Sequence, residues 1–268
     1  MKIRKFNTAL KRINYLELAV YYIGQAQLDQ AWHGKSSALP VNRLYFAGSG
    51  EAFIGIDGKY EALEPGFVYL VPVGTPMDFY CDGNMEKIYV HFNLFRPDHY
   101  DSLDGLNQIY RIPFSAQEYE NLQLHAARGN FADTLIVKDV LYQTLAQFQE
   151  HYSIIDEHVP IYSKSVMNTI AYVQENLSAN LHLEDLAKHA YVSRSTLTEL
   201  FRKEVGVSLG KYIDDQLIAA AQRELSQTTR SIGEISNSLG YSNQCYFSRR
   251  FKQICGKTPQ LYRTQNKA

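Results

Sequence analysis

Near the end of this 268-residue chain, two sets of polar side chains are of the types that hydrogen-bond to base edges and phosphates. In the stretch Gly240 to Pro259, GYSNQCYFSRRFKQICGKTP, helical spacing puts Phe247, Phe251 and Ile254 on one apolar stripe. Gln244, Ser248, Arg249 and Lys252 fall on the opposite face, with Asn243 at its start. Gln can bridge two atoms of adenine and Arg two of guanine, while Lys and Arg neutralise phosphates. Gly240 suits the positive φ of a tight turn, and Ser242 or Asn243 caps the helix that follows. Gly256 ends that helix, and Thr258-Pro259 starts another. One such pattern is usually a short amphipathic surface helix, so repetition has to decide.

The pattern occurs twice. Leu183-Glu184-Asp185-Leu186-Ala187 matches Ile232-Gly233-Glu234-Ile235-Ser236 at an offset of 49 residues, and Phe201-Arg202-Lys203 with Gly206 matches Phe251-Lys252-Gln253 with Gly256 at an offset of 50. The one-residue slip falls where Val192-Ser193 becomes Tyr241-Ser242-Asn243, in a turn that tolerates length changes. The outward set of the first copy is Arg194, Ser195, Thr198, Glu199 and Arg202. Between the copies, Ser208 caps a predicted helix over Leu209 to Ser226, a rigid spacer of roughly 27 Å. Two helix-turn-helix units held this way can enter successive major grooves of double-stranded DNA, about 34 Å apart.

Residues from about 165 to 265 resemble the DNA-binding domain of the AraC/XylS family of bacterial transcription regulators, and GYSNQCYFSRRFKQICGKTPQLYR is close to the family signature. The resemblance implies that Gln244 and Arg249 face bases, and that Glu199 stands where one relative reads a base with arginine. It also implies activation through contact with RNA polymerase. Two positions depart from the family pattern: Gln216, where arginine is usual in the spacer helix, and Glu224, where leucine is common.

Charge is divided along the chain. Residues 163–268 carry 14 Lys and Arg against 9 Asp and Glu, whereas the remainder carries 13 against 19. A basic half beside an acidic one fits a single nucleic-acid-binding domain. Cys81, Cys245 and Cys255 have neither paired spacing nor histidines at zinc-finger intervals, which predicts free thiols in a reducing cytosol. The basic start MKIRKFNTALKR lacks a following cleavage site, and no apolar run approaches 18 residues. A cytoplasmic protein with no membrane partner is expected.

Upstream, short apolar runs at Arg43–Ala47, Glu51–Ile56, Phe67–Val71, Asp78–Cys81 and Lys87–Leu94 read as strands, with one or two more around Leu16–Ile23 and an arm before them. Turn residues such as Asp57-Gly58 and Asp82-Gly83-Asn84 separate them, which predicts a sandwich or small barrel. The run GSGEAFIGIDGKYEALEPGFVYLVPVGTPMDFY with KIYVHF resembles the cupin-like (arabinose-regulator type) effector domain of sugar-responsive family members. Strand alternation groups Lys87, Tyr89 and His91; Arg43 and Tyr45; and Asp78 and Tyr80. Aromatic faces with a few charged groups suit a small polar effector such as a sugar. The resemblance places Tyr89 where a sugar-stacking tryptophan stands in a relative. There is no His-x-His pair, only His91 with His33 before it and His99 after, so neither a metal nor another cofactor is expected.

The expected fold class is α+β: a cupin-like β-barrel (double-stranded β-helix) over residues 1–114, a helical dimerisation element at 115–152, a linker at 153–162 and an all-α domain with two helix-turn-helix motifs at 163–268. Ser115 caps the first helix of the middle element and Gly129 closes it; the second, from Phe131 to His151, aligns Val137, Leu141, Leu145 and Phe148 in a stripe that either covers the barrel or, as the resemblance implies, forms a homodimer seam. The expected function is ligand-responsive transcription regulation without enzymatic activity. Two other readings stand beside it: a cupin-type enzyme with an appended DNA-binding domain, and a constitutive DNA-binding protein with a scaffold barrel.

Overall fold

A computed structural model describes residues 12–36 and 38–266; the expected arm before residue 12 lies outside them. The fold is α+β, and the chain divides into two compact units after Glu157, with Pro97–His99 counted in the second.

The first unit contains nine strands: β1 (Glu17–Leu28), β2 (His33–Ser36), β3 (Asn42–Gly50), β4 (Ala52–Ile56), β5 (Lys59–Leu63), β6 (Phe67–Val71), β7 (Met77–Tyr80), β8 (Met85–Phe95) and β9 (Tyr110–Pro113). They form two antiparallel sheets, of order β1-β8-β3-β6-β9 and β2-β7-β4-β5. β2, β5 and β9 are strands that the sequence reading passed over. The β4–β5 hairpin closes on Asp57-Gly58, both at positive φ (51° and 78°), the two-residue turn whose twist matches paired strands.

The five-stranded sheet is buried on both faces. Leu44, Phe46, Val68, Leu70, Ile88, Val90 and Phe92 pack on one side against two helices, α1 (Ala116–Arg128) and α2 (Phe131–Tyr152). On the other side Tyr45, Ala47, Tyr69 and Val71 share a core with Ala52, Ile54, Leu63 and Met77 of the second sheet. Period-two alternation therefore sends alternate residues of β3 and β8 into the space between the sheets. Ser115 caps α1 with a reciprocal bond to Glu118, and Gly129 ends it at φ 64°. Asn130 caps α2.

The seam expected along α2 is corrected by burial. Leu141, Leu145 and Phe148 are all sealed against the sheet within one chain, and Val137 packs there too. Phe131, Leu135 and Tyr142 are exposed instead.

The second unit is helical: α3 (Lys164–Glu175), α4 (Leu183–His189), α5 (Arg194–Val205), α6 (Leu209–Gln227), α7 (Ile232–Ser238), α8 (Gln244–Cys255) and α9 (Pro259–Asn266). The two copies reuse the same punctuation. Ser193 and Asn243 cap α5 and α8 on the third backbone N–H of each helix, and Gly206 and Gly256 end them in left-handed geometry. The turn before each cap has matching bonds, Val192 N to Ala187 O and Tyr241 N to Ser236 O, so the extra residue is Ser242. Tyr191 (φ 57°) occupies the left-handed position that Gly240 (φ 73°) fills in the second copy. A Cβ at Gly240 would lie 2.0 Å from Ser178 Oγ and 3.1 Å from its Cβ, so the glycine admits close approach as well as the turn.

Phe247 and Phe251 are fully buried against Leu217, Ala221 and Leu225 of α6 and Tyr262 of α9. Ile254, placed on that stripe by spacing, is 41% exposed, and Cys255 packs inward in its stead. The two departures from the family pattern are accommodated by hydrogen bonds. Gln174 Nε2 donates to Gln216 Oε1 (3.1 Å) and to the Tyr212 hydroxyl (3.0 Å). Glu224 pairs with Arg230 at 3.0 Å near the end of α6.

Candidate functional site

On α5, Leu197 and Phe201 turn inward and leave Arg194, Ser195, Thr198, Glu199 and Arg202 exposed. With Lys203, which the sequence reading left out although it adjoins Arg202, they line an open depression on the surface. Arg194 Nη1 donates to Glu184 Oε1 at 2.7 Å, but both side chains are over half exposed. Such a pair contributes about 0–1 kcal/mol, so Arg194 remains available to a phosphate. Thr198 Oγ1 donates to Arg194 O within the helix.

On α8, Phe247 and Phe251 inward leave Gln244, Arg249 and Lys252 exposed and Ser248 half-buried. Neither the Arg249 nor the Lys252 side chain has a hydrogen bond or ion pair among the described residues. Their neighbour Arg250 is committed inward to Asp214 of α6, with a second bond to Gln253. The distinction matters, because a guanidinium already paired with a carboxylate is a strut, and an unpaired exposed one is a contact. Asn243 Oδ1 accepts from Tyr246 N at 2.8 Å, so that side chain serves first as the cap of α8. Both copies thus present a polar helix face held by an apolar opposite face.

A second constellation lies inside the first unit. Register places Arg43 opposite His91 and Tyr45 opposite Tyr89, and next along β3 and β8 Ala47 opposite Lys87. Arg43, Tyr45, Lys87, Tyr89 and His91 therefore share the face turned toward the second sheet. Arg43 Nη2 donates to Thr75 O (2.8 Å) and Nη1 to Ser36 Oγ (3.1 Å). Burial, then Arg43, depresses the His91 imidazole to about 4, which keeps it neutral. Burial, aided by the Tyr22 hydroxyl, pushes Tyr89 up to about 12.

Asp78 and Tyr80 do not join this group. On β4 Asp78 is opposite Gly55 and Tyr80 opposite Phe53, which stacks on it at 4.7 Å, whereas Ile54 and Phe79 take the core side. Asp78 accepts from Gly58 N at 3.2 Å and pairs with the exposed Lys35. Alternation had paired Asp78 with Tyr80 correctly, but it cannot tell the inner face of a strand from the outer.

Two aromatic members were missed. Tyr22 stacks on Tyr89 with ring centres 5.3 Å apart, over Gly24, where a Cβ would lie 2.8 Å from the Tyr22 ring. A register shift between Val20 and Tyr22 sets its side, and that irregularity leaves no mark in residue spacing. Trp32, the chain's only tryptophan, lies against Lys87; its type alone was the available signal. Among the described residues, no three His, Cys, Asp or Glu side chains gather as a metal site, and no helix is long and apolar enough to cross a membrane.

Residues 186–265 match the helix-turn-helix domain family. The arabinose operon regulatory protein of Escherichia coli is 27% identical over 181 residues, which cover 67% of this chain and 58% of that protein. The HTH-type transcriptional activator AarP of Providencia stuartii is 33% identical over 107 residues, 40% of this chain and 79% of that protein. In fold, the crystal structure of ToxT from Vibrio cholerae is similar along 94% of this chain and 98% of its own, at 15% identity and a TM-score of 0.51. The chain belongs to the AraC family of transcription regulators, with a DNA-binding helix-turn-helix domain.

Proposed function

We propose that the chain is a ligand-responsive regulator that activates transcription in the bacterial cytoplasm, binding two successive major grooves of its operator with α5 and α8. The observation that carries this is the duplicated exposed face, Arg194 to Arg202 and Gln244 to Lys252, on either side of the 19-residue α6. Residues 163–268 act as the DNA-binding domain, residues 1–114 as a cupin-like sensor, residues 115–152 as the dimerisation element and residues 153–162 as the linker. Arg43, Tyr45, Lys87, Tyr89 and His91 hold the effector. The name of the arabinose operon relative supports a carbohydrate, and aromatic walls with neutral His91 as hydrogen-bonding partner suit its hydroxyls. The regulator works as a homodimer and contacts RNA polymerase.

The test is thermal stabilisation of the full chain by a panel of sugars and their acid and phosphate derivatives. A binder should raise the melting temperature of the parent and alter operator affinity. Tyr89→Ala should lose about 1–3 kcal/mol of that binding, from lost stacking area, and leave effector-free DNA affinity unchanged. If operator binding is sound but no compound shifts melting or affinity, the protein is a constitutive DNA binder and the sensor reading fails.

A further inference from the structure

Lys87 is out of place between two sheets. It is 4% exposed, and its Nζ makes no hydrogen bond or ion pair with any described residue. Two rings enclose it instead, Tyr45 at 3.7 Å and Trp32 at 4.1 Å from the ammonium to the ring centres. Rings hold a cation in position without neutralising it. On the neighbouring strand Arg43 is 2% exposed, and its Nε has no partner among the described residues. The two buried cations flank the Tyr45–Tyr89 pair on one face of the sheet, and the charge of Arg43 is felt at Lys87.

The nearby carboxylates are engaged elsewhere. Asp78, buried on the other face of β7, is taken by Lys35 and the Gly58 N–H. Glu86 accepts from Gln25, Gln27 and the Tyr119 hydroxyl on the helix side of the sheet. Asp101 is enclosed by Asn42, Asn93 and the N–H groups of Leu94 and Leu103. No carboxylate acts on Lys87 or on His91; both feel burial first and then Arg43. Buried charge without a counter-charge is strongly destabilising, and a ligand that supplies the counter-charge recovers that loss as affinity.

We propose that the ligand of this interior is an anion, a small carbohydrate derivative bearing a carboxylate or a phosphate whose charge Lys87 and Arg43 neutralise. This rests on the reading of the first unit as a sensor. Burial and then Arg43 bring Lys87 down to about 7 from its ordinary value near 10.5. In the unliganded protein the charge therefore destabilises fully below pH 7, and the loss is relieved as pH rises from about 7 toward 10.5. A bound anion restores the proton, so binding takes one up above pH 7 and weakens there by up to about tenfold per unit. The titratable groups facing Lys87 are Arg43 and Tyr45 on β3, Tyr89 and His91 on β8 and Cys81 just after β7. Burial pushes Tyr45 up and His91 down, so both stay neutral.

The experiment compares glucose, glucuronate and glucose 6-phosphate, with their galactose and arabinose counterparts, by thermal shift and calorimetry on the full chain. An acid or a phosphate should bind at least tenfold more tightly than its neutral parent, and which of the two arms responds identifies the group. Affinity should fall between pH 7 and pH 9, and should do so in Cys81→Ser as well. Lys87→Met should erase the preference for the charged compound. Without ligand it should raise the melting temperature at pH 6.5, and by less at pH 9.5. Equal binding of neutral parents overturns the anion and leaves the sensor standing; no shift with any compound overturns both. A lower melting temperature in Lys87→Met would make the lysine structural and also overturn the proposal.

Discussion

Phe251→Ala unfolds the second helix-turn-helix unit under conditions where the parent is folded. The ring is fully buried, 5.8 Å from Phe247 and 5.5 Å from Tyr262 between centres, and with Phe247 it carries the contact of α8 with α6. Truncation of such a phenylalanine costs about 3–5 kcal/mol, a large part of the roughly 5–15 kcal/mol that stabilises a domain. Operator binding should be lost with it, because the exposed face of α8 exists only while the opposite face is packed. Ile254→Ala, at a site 41% exposed, should stay within about 0.5 kcal/mol. Urea unfolding followed by circular dichroism compares the two. Equal losses would mean that α8 packs through residue 254.

A second large effect concerns assembly. Phe131→Asp with Leu135→Asp should convert the proposed homodimer into monomers in sedimentation, with the melting of the sheets preserved. Phe131 is 92% exposed and Leu135 68%. With Tyr142 they lie on one face of α2, since steps of 4 and 11 residues return near the same direction. Lys138 interrupts this stripe, which lies roughly 100° round α2 from the buried Leu141 and Phe148. Two carboxylates there would have to be desolvated in a seam. Leu141→Asp acts differently, because Leu141 is sealed against the sheet within one chain. It should destabilise the first unit by several kcal/mol through an unpaired buried charge. A dimer that survives the Phe131 and Leu135 changes would place the interface elsewhere.

What could be read from the sequence follows from how local each signal is. The two helix-turn-helix units were legible because Ser193, Asn243, Gly206 and Gly256 act within one turn of backbone, and because repetition confirmed each reading. The strand Phe67–Val71 and the caps Ser115 and Gly129 were legible for the same reason. β5 was within reach, since Asp57-Gly58 is a strong hairpin signal, but its Lys59 and Tyr60 are exposed and broke the apolar pattern. Period-two alternation grouped Arg43 with Tyr45, and Lys87 with Tyr89 and His91; the pairing of β3 with β8 put both sets on one inner face. Alternation could not choose a side for Asp78 and Tyr80, because that depends on which sheet covers the strand. Nor could spacing alone decide whether the Leu141 stripe of α2 met its own sheet or a second chain. Tyr22 depended on a bulge, and a bulge is a feature of pairing between strands.

The central claim is that α5 and α8 read successive grooves, and hydroxyl-radical protection of an operator fragment tests it most directly. The parent should protect two patches on one side of the duplex, about 10–10.5 base pairs apart, for each copy of the chain. Arg202→Ala should weaken one patch. Arg249→Ala should weaken the other, lose roughly 1–3 kcal/mol on the specific site and relax preference at one base pair. A single patch unaffected by changes in one of the two helices would contradict the account.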